Sequence, residues 1–451
     1  MKIAVIGSGV SGLSCAYRLA QHGSDVSLYE SGSYFGGHTH TVDVTLEGTT
    51  HGVDTGFLVF NHRTYPNLVS LFEELAIETV ATDMSFSVKM PIPTLFGGSR
   101  LLEWAGGNLN TVFAQRLNML SPRFLRMLRD IVRFNRQATA LATAPTTTAG
   151  SDCMDLSLGA FLRKNRYSKQ FRQWYLLPMA GCIWSCPTEQ MLQFPLHSFV
   201  RFCHNHGLLQ VSGRPQWQTV KGGARQYVDK MLRAIPRKLL NTPVHAVTRR
   251  NFGSGPAQVC IDTSIGSELY DHVVLASHSD QSLAMLTDAS AAERSVLSAI
   301  RYQPNRAVLH TDTTCLPENQ AAWSAWNYQS EQTTADGREG EVCVHYLINQ
   351  LQPLPFKTPV IVSLNPLTLP HPDHLIASYD YAHPVFDAAA VAAQASLHAL
   401  QGERNTWFAG AWTGYGFHED GLKSGLAVAQ SLIELGAGCE ADTALTSLAA
   451  A

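Results

Sequence analysis

The sequence has little charge and no excess of either sign. Only 15% of its 451 residues are Asp, Glu, Lys or Arg, against roughly 25% in ordinary soluble domains. The 33 Lys and Arg against 36 Asp and Glu give a net charge of −3. With no basic surplus to bind phosphate backbones, nucleic acid is excluded as the main partner. Hydrophobic residues make up 45% of the chain, which excludes an intrinsically disordered protein.

No disulfide framework, membrane-spanning run or secretory signal is expected from this sequence. Its nine cysteines are scattered and odd in number, which predicts reduced thiols and a cytoplasmic location. The N-terminus enters a strand pattern directly, without the charged and apolar regions of a signal peptide. The uncharged run from Trp174 is too short to cross a bilayer. Peripheral contact with the inner face of a membrane stays open.

Residues 2–30 predict a βαβ unit that binds a dinucleotide. Residues 2–6 are almost wholly apolar, which is typical of a buried parallel strand. The turn Gly7-Ser8-Gly9-Val10-Ser11-Gly12 follows and opens a helix. Gly7 permits the tight turn, Gly9 lets a pyrophosphate approach the helix N-terminus, and Gly12 lets helix and strand pack closely. Glu30 ends the next strand and has the spacing of a ribose-binding carboxylate. The alternative is a tight βα turn with no ligand.

The rest of the chain predicts further helices, two sheets and one loop. Helices are expected over 108–138, over 155–206 with breaks at Pro178, Pro187 and Pro195, over 224–235 and over 423–435. Strands are expected over 244–247, 257–261, 272–277 and 407–411, and those of a second sheet over 306–312, 342–348 and 359–364. Residues 140–151 have the composition of a surface loop, and the tail from Gly436 is expected to fray.

Two distant blocks carry a resemblance to a known family. The first continues from Glu30 through Ser31, Gly36-Gly37-His38-Thr39 and Asp54-Thr55-Gly56. The second comprises Trp407 to Gly410, Gly414 to Gly416, His418-Glu419-Asp420-Gly421 and Ser424-Gly425-Leu426. Together they resemble the flavin-containing amine oxidase and phytoene desaturase superfamily. The segments Lys221 to Ala224, Pro243 to Val247 and Asp271 to Ser277 also resemble it, whereas 86–205 and 290–395 match poorly.

The resemblance implies an α/β flavoprotein with a Rossmann-like FAD-binding domain of the GR2 type and an inserted α+β substrate domain. The discontinuous FAD domain would comprise 1–85, 205–290 and 395–436, the substrate domain 86–204 and 291–394, and a flexible tail 437–451. FAD is expected to be non-covalent, because the usual attachment cysteine has no counterpart near Tyr379 to Pro384. The residues implied to hold FAD are Gly7, Gly9, Val10, Ser11, Gly12, Glu30, Ser31, Gly36, Gly37, His38, Thr39, Asp54, Thr55, Gly56, Val244, Gly410, Ala411, Asp420, Gly421, Leu422 and Ser424.

A narrower resemblance points to the substrate. The segments GGHTHTV, GFLVFN, WxTVKGG and GFHEDG resemble a bacterial group of NAD/FAD-binding proteins encoded beside cyclopropane-fatty-acid-type methyltransferases. This implies an oxidase or desaturase of an apolar substrate, such as a methyl-branched fatty acyl chain of a lipid, with a methyltransferase as a partner. Three alternatives remain: an amine oxidase that produces H2O2, a flavin-bound accessory subunit of the methyltransferase, and an isomerase that uses reduced flavin without net oxidation.

Candidate catalytic residues follow from the same resemblance. Amine oxidases place a lysine near the flavin, but here Arg306 or Asn305 stands on the matching strand. His418 and Glu419 precede the last helix and are candidates for a general base, although Glu419 or Asp420 could instead cap that helix. The expected substrate-pocket residues are Phe417, Tyr415, Trp184 and Tyr381.

Two short segments contain residue types that can bind metals, but we predict no metal site in either. Cys182 and Cys186 have no second Cys or His pair at ligand spacing. His371, Asp373 and His374 stand in a proline-rich turn and are expected to be a solvated loop.

Overall fold

The computed structural model describes residues 1–94, 98–144, 156–184, 191–210, 213–250, 257–330 and 343–449, with side chains described up to residue 437. The strands are β1 (Lys2–Ile6), β2 (Asp25–Tyr29), β3 (Thr41–Leu46), β4 (Thr49–Asp54), β5 (Phe60–Asn61), β6 (Thr79–Thr82), β7 (Phe86–Pro93), β8 (Ser99–Ala105), β9 (Trp217–Val220), β10 (Arg237–Leu239), β11 (Val244–Arg250), β12 (Gln258–Thr263), β13 (Gly266–Tyr270), β14 (His272–Leu275), β15 (Arg301–His310), β16 (Trp326–Gln329), β17 (Cys343–Leu347), β18 (Ile361–Leu364), β19 (Leu375–Val385) and β20 (Thr406–Phe408).

The helices are α1 (Val10–Gln21), α2 (Pro66–Glu74), α3 (Leu109–Val112), α4 (Pro122–Thr143), α5 (Leu158–Lys164), α6 (Lys169–Phe171), α7 (Leu177–Trp184), α8 (Leu196–Asn205), α9 (Arg225–Ala234), α10 (Ser279–Met285), α11 (Ala291–Ser298), α12 (Ile348–Leu351), α13 (Ala388–Ser396) and α14 (His418–Ala449). Of the described helices, none combines the length and the apolar character needed to cross a membrane.

A five-stranded parallel sheet positions the glycine-rich turn. Its order is β10-β2-β1-β14-β20, and each neighbouring pair is parallel. The strand β1 lies at the centre with Ile3 to Val5 fully buried, which explains its apolar sequence. The largest buried cluster joins β1 to α1 and α14. The predicted α/β class with a Rossmann-like sheet is confirmed.

A second sheet of seven strands has the order β19-β15-β18-β17-β16-β7-β8. It contains the three strands that the sequence placed in a second sheet, here β15, β17 and β18. The pairs are antiparallel except β16 with β7, which is parallel. The sequence did not predict β7, β8 or β16. The domain boundaries given above stay a prediction.

The helix expected over 108–138 was wrong as a single element. The chain forms the short helix α3, a 3-10 turn at Arg116–Leu120 and then α4. Pro122 interrupts the helix because its ring disfavours helical geometry in the preceding residue. Ser121 is therefore extended, and its hydroxyl accepts from the backbone N–H of Phe124, which caps α4.

Pro178 does not break the helical segment as the sequence predicted. The chain is helical from Lys169 to Trp184, with a wider π-helical turn at Arg172–Leu176. That turn accommodates Pro178, which has no N–H to donate to the preceding turn. Pro195 does precede a helix, α8, as expected. Pro187 and residues 145–151 of the predicted loop lie outside the described residues. Residues 140–143 of that predicted loop belong to the end of α4, so the loop prediction was wrong there.

The two ends of the chain cross closely at glycines. A Cβ on Gly425 of α14 would lie 2.1 Å from the Ser11 carbonyl oxygen of α1, and a Cβ on Gly421 would lie 2.8 Å from Val10 Cγ1. The helix α14 starts at His418 and its backbone stays helical to Ala449, so the predicted helix of 423–435 was too short at both ends. The flexibility of the tail stays a prediction.

Candidate active site

The glycine-rich turn requires glycine for two different reasons. Gly7 has φ +100°, and a Cβ there would lie 2.8 Å from the Ala276 carbonyl oxygen. A Cβ on Gly12 would lie 1.9 Å from the Gly7 carbonyl oxygen. A Cβ on Gly9, by contrast, would meet no atom within 4 Å. Gly7 and Gly12 are therefore needed for packing, whereas Gly9 keeps open a space that the protein itself leaves empty.

The first turn of α1 faces that space. Gly9 is the N-cap residue and makes no side-chain capping bond, and no acidic residue stands in the first turn. Its first N–H groups therefore remain available to an anion at the positive end of the helix dipole. The turn opens into a cavity of about 420 Å³. On this side it is lined by Gly7, Ser8, Gly9, Val10, Ser11, Glu30, Ser31, Gly36, Gly37, His38 and Gly56.

Glu30 lines the cavity but is already hydrogen bonded. One carboxylate oxygen accepts from the Ser8 N–H at 3.0 Å and the other from the Gly32 N–H at 2.7 Å. The first oxygen also accepts from the Ser8 hydroxyl at 2.5 Å, and the second from the Ser31 hydroxyl at 3.4 Å. These four donors use the roughly four acceptor positions of a carboxylate, so a ribose hydroxyl would replace the Ser31 hydroxyl, whose bond is the longest. The Gly36-Gly37 loop presses on the same turn: a Cβ on Gly37 would lie 3.1 Å from Gly9 Cα.

The C-terminal block closes the cavity from the opposite side. Gly410, Ala411, Phe417 and His418 line it. Behind them, the Ser424 hydroxyl accepts from the Gly410 N–H at 2.9 Å. Both glycine-containing blocks that carried the family resemblance therefore meet at one cavity, which the sequence could only predict from the resemblance.

Asp420 supports this loop instead of facing the cavity. One of its oxygens accepts from the Tyr415 N–H at 3.1 Å and from the Phe417 N–H at 3.0 Å. Burial raises the pKa of its carboxyl to about 6. Gly421, Leu422 and Gly12 likewise lie behind the wall, where they provide helix packing.

Four half-buried histidines line the cavity: His38, His278, His383 and His418. Burial lowers the pKa of each imidazole, to about 4 for His383 and to about 3 for His418. They are neutral at physiological pH and can accept or donate hydrogen bonds. Among the described residues, Nε2 of His38 has no hydrogen-bond partner. Such a buried polar atom is costly unless a ligand or water satisfies it.

His418 is held in a fixed orientation. Its ring stacks on Phe57 with centroids 3.9 Å apart. Its Nε2 hydrogen bonds with the Tyr227 hydroxyl at 2.5 Å, and that hydroxyl bonds with the Thr39 hydroxyl at 2.7 Å. Thr39 therefore acts through Tyr227 and His418, since it does not itself line the cavity.

The other two predicted catalytic residues lie elsewhere. Glu419 accepts from the backbone N–H groups of Asn67 at 2.8 Å and Leu68 at 3.0 Å, so it caps the N-terminus of α2 and not that of its own helix. Arg306 is exposed on β15 and donates to the Ser378 hydroxyl. The structure thus brings His418 to the cavity and leaves Glu419 and Arg306 outside it. The neighbouring Asn305 donates to His383 Nδ1 at 2.8 Å.

Three predicted cofactor residues also lie outside the cavity wall. The buried Asp54 accepts from the Ala224 N–H, the Thr41 hydroxyl and Gln352 Nε2. Burial raises the pKa of Asp54 to about 7. Thr55 bonds with the Tyr381 hydroxyl at 2.8 Å. Val244 begins β11, just after a loop in which the Thr242 N–H bonds to the Glu30 carbonyl.

The cavity extends into an apolar chamber that the sequence largely missed. Its wall comprises Phe57, Leu58, Val59, Tyr65, Met84, Ile183, Phe202, His206, Leu208, Trp217, Trp326, Tyr346 and Phe417. Of the predicted pocket residues, Phe417 lines this wall. Trp184 lies behind the wall, where its ring centroid is 4.6 Å from that of Phe202. Tyr381 lies behind His38, with ring centroids 4.8 Å apart. Two motifs of the sequence could have pointed to this chamber: GFLVFN contains Phe57 to Val59, and WxTVKGG contains Trp217.

A second cavity of about 610 Å³ adjoins this chamber. The two share Tyr65, Phe202, His206 and Phe417. Tyr415, a predicted substrate residue, lines the second cavity. Its charged lining residues are Arg63, Lys423, Glu419 and Asp420. Burial lowers the pKa of His206, in the shared wall, to about 4.

The described residues of the two Cys and His clusters considered above as metal ligands do not line either cavity. Cys182 is buried in a core cluster with Val88 and Tyr328, and Cys186 lies outside the described residues. His371, Asp373 and His374 form an exposed turn.

Comparison with known proteins agrees with this geometry. A family model described as flavin containing amine oxidoreductase matches residues 10–355. A carotenoid phi-ring synthase of Streptomyces griseus is 34% identical over 139 residues, which cover 30% of this chain and 25% of that protein. A 15-cis-phytoene desaturase of Synechococcus elongatus is 35% identical over 94 residues, 21% of this chain and 19% of that protein. The chain thus aligns with a quarter or less of the length of these curated relatives.

Solved structures show the same fold. A CLA-producing fatty acid isomerase from P. acnes superposes with a TM-score of 0.63 at 15% identity, over 95% of this chain and 98% of that chain. Cyclohexylamine oxidase from Brevibacterium oxydans IH-35A superposes with a TM-score of 0.66 at 14% identity, over 96% and 98%. At these identities the similarity concerns the fold alone.

Proposed function

Because the chain belongs to the flavin containing amine oxidoreductase family, we propose that it is an FAD-dependent oxidase or desaturase of an apolar substrate, a fatty acyl chain of a lipid. The apolar chamber that joins the cofactor cavity carries this proposal. Its wall is built from aromatic and aliphatic side chains. Among the described residues that line this cavity, Glu30 is the only acid, and it lies at the glycine-rich turn. The chamber therefore offers an alkyl chain contact surface and offers an ammonium group no carboxylate.

The residues of the cavity fit FAD. The open position at Gly9 and the free first turn of α1 would hold the pyrophosphate, and Glu30 would hold the ribose. The unpartnered Nε2 of His38 gives a polar group of the cofactor a hydrogen-bond partner. A flavin held there would supply the acceptor for a hydride equivalent from the substrate. Binding would be non-covalent, since no cysteine occurs among the described lining residues. Acid precipitation should therefore release the flavin into the supernatant.

The chain's own residues would orient the substrate and exclude water. Phe202 and Phe417 stack with ring centroids 4.8 Å apart and form part of the wall between the two cavities. The second cavity is lined by two basic and two acidic side chains, Arg63, Lys423, Glu419 and Asp420, so its charges favour neither an anionic nor a cationic end of the substrate. His418, neutral and fixed by Tyr227, would orient the substrate or the cofactor by a hydrogen bond, because a pKa of about 3 makes its imidazole a poor proton acceptor.

The test is anaerobic mixing of the purified flavoprotein with defined acyl phospholipids and, separately, with a panel of amines. Loss of the oxidised-flavin absorbance on adding the acyl lipid, with loss of two hydrogen atoms from the chain by mass spectrometry, supports the proposal. Bleaching by amines alone, with H2O2 release in air, would establish the amine oxidase instead. An acyl product of unchanged mass would establish an isomerase. No response to any substrate would point to the accessory methyltransferase subunit.

A matched pair of variants localises the reaction. Leu208→Trp fills part of the chamber and should slow bleaching by the acyl lipid without loss of flavin. Leu283→Trp makes the same change at another half-buried leucine, which packs on a core cluster away from the chamber. Equal rates in these two variants would contradict the placement of the substrate.

A further inference from the structure

One surface of the protein exposes leucines and arginines together. It is formed by the 3-10 turn Arg116–Leu120 and the outer face of α4, and we call it the Arg–Leu surface. Its apolar members are Leu117, Met119, Leu120, Leu125 and Val132, of which Leu117 is 77%, Leu120 82% and Val132 62% exposed. Exposed apolar side chains at this density usually mark an interaction site.

The same surface is strongly basic in an otherwise slightly acidic protein. Residues 98–144 contain seven arginines, no lysine and two acids, a local charge of +5 against −3 for the whole chain. Both acids are buried and engaged: Glu103 accepts from the Glu318 N–H and Asp130 from the Ser168 N–H. The surface charge is therefore not neutralised from within.

The exposed arginines of this surface are free. For Arg116, Arg123, Arg126, Arg129 and Arg136 the described part of the chain provides no hydrogen bond or ion pair. Several arginines elsewhere are paired, such as Arg225 with Asp43 at 2.6 Å and Arg237 with Glu268 at 2.6 Å. Unpaired charge on one face of a helix that also exposes leucine is the pattern of an interfacial segment.

We propose that the Arg–Leu surface docks the protein on an anionic lipid bilayer, with the arginines at the phosphates and Leu117, Met119 and Leu120 inserted below them. Basic side chains gain from the negative surface potential of such a membrane, and apolar side chains gain from the acyl boundary. Nucleic acid would use the charge but not the leucines. A protein partner would require a surface with matching acidic and apolar groups. An anionic bilayer has both, since its phosphates are negatively charged and its acyl chains are apolar.

The docking surface lies one helix away from the apolar chamber. The inner face of α4 packs against α8, and Phe202 of α8 lines the chamber. Docking would thus place the chamber close to the lipid phase. This last consequence rests on the proposed acyl substrate, whereas the docking itself does not.

The experiment is sedimentation of the flavin-loaded protein with vesicles. Vesicles of equimolar phosphatidylglycerol and phosphatidylcholine are compared with vesicles of phosphatidylcholine alone. The comparison is made at about 0.1 M salt and at about 1 M, where the Debye length falls from about 10 Å to about 3 Å. The wild type should bind the anionic vesicles, bind the neutral ones much more weakly, and lose affinity at high salt.

Variants separate charge from apolar insertion. Arg123→Gln/Arg126→Gln/Arg129→Gln should weaken binding to anionic vesicles about fivefold per arginine, on the order of a hundredfold in total. Leu117→Ser/Leu120→Ser should weaken it by about tenfold or more per leucine. The matched control is Arg233→Gln/Arg250→Gln/Arg294→Gln, which removes the same charge from exposed arginines elsewhere and should bind as the wild type does.

Each outcome is decisive because these side chains are exposed and flavin absorbance reports the folded state of every variant. Equal loss in the control triple would show a nonspecific charge effect and overturn the proposal. So would unchanged binding of the Arg123/Arg126/Arg129 triple. A wild type that binds neither kind of vesicle would also overturn it and leave a protein partner as the occupant. None of these results depends on the substrate, so failure here is distinct from failure of the proposed reaction.

Discussion

The substitution Gly9→Ala distinguishes binding of the cofactor from stability of the fold. Gly9 has φ −60° and ψ 174°, which alanine adopts without strain. Its Cβ would meet no protein atom within 4 Å. The protein without flavin should therefore fold normally. It should gain about 0.4–1 kcal/mol of stability, because alanine lowers the entropy of the unfolded chain.

Flavin binding should respond in the opposite direction. If the pyrophosphate lies against the Gly9 backbone, the new methyl group occupies space that the ligand needs. Overpacking by one methyl group costs roughly 1–3 kcal/mol, which corresponds to an about five- to 150-fold higher dissociation constant. The assay is titration of deflavinated protein with FAD by fluorescence quenching, combined with thermal unfolding of the same sample without FAD.

Two further substitutions serve as controls. Gly106→Ala also introduces a methyl group into open space, since the Phe86 carbonyl oxygen would lie 4.0 Å from its Cβ, but Gly106 does not line the cavity. It should leave flavin affinity unchanged. Gly12→Ala should destabilise the protein even without flavin, because its Cβ would lie 1.9 Å from the Gly7 carbonyl oxygen. Wild-type affinity in Gly9→Ala would refute the placement of the pyrophosphate at this turn.

Three other predictions concern a cap, a titration and an ion pair. Glu419→Ala removes the cap of α2 and should lower the free energy of unfolding by about 1 kcal/mol with little change in the rate of flavin reduction; a large rate loss at unchanged stability would instead identify a base. The pKa of His383 is lowered to about 4 in the folded protein, against about 6.5 in the unfolded chain. As the pH falls between these two values, the unfolded state binds a proton that the folded state does not. Stability should therefore decrease from about pH 6.5 to about pH 4 by up to about 3 kcal/mol, and thermal unfolding of His383→Gln should show a shallower decrease. Arg249→Met leaves the buried Glu293, 3.0 Å away, without its partner and should cost about 3–5 kcal/mol in chemical unfolding, whereas a cost near zero would contradict the importance of this pair.

The sequence determined the turn, its ligand class and the family. The Gly7, Gly9 and Gly12 spacing was informative because steric demands of a strand-to-helix turn act within a few residues. The acid Glu30 follows from the same short unit. The apolar strand patterns of β1, β14 and β15 were equally clear, since a strand buried in a sheet has apolar side chains at consecutive positions of the sequence.

Other helix and strand features depended on local competition. A single helix over 108–138 was wrong because Pro122 and the Ser121 cap start a new helix there. Pro178 had the opposite outcome, because the π-helical turn before it removes the conflict. The same residue type therefore ended one helix and was tolerated in another, according to the geometry of the preceding turn.

Only the tertiary structure decided what the side chains of the site do. Glu419 caps a helix 352 residues earlier in the chain, and Asp54 caps one 170 residues later; from the sequence both could be read as functional acids. The aromatic chamber is likewise assembled from segments as distant as Phe57, Phe202 and Tyr346. Glycine turns and strand patterns act over neighbouring residues and can be read in order, whereas the direction of a side chain and its burial depend on which remote segment packs against it.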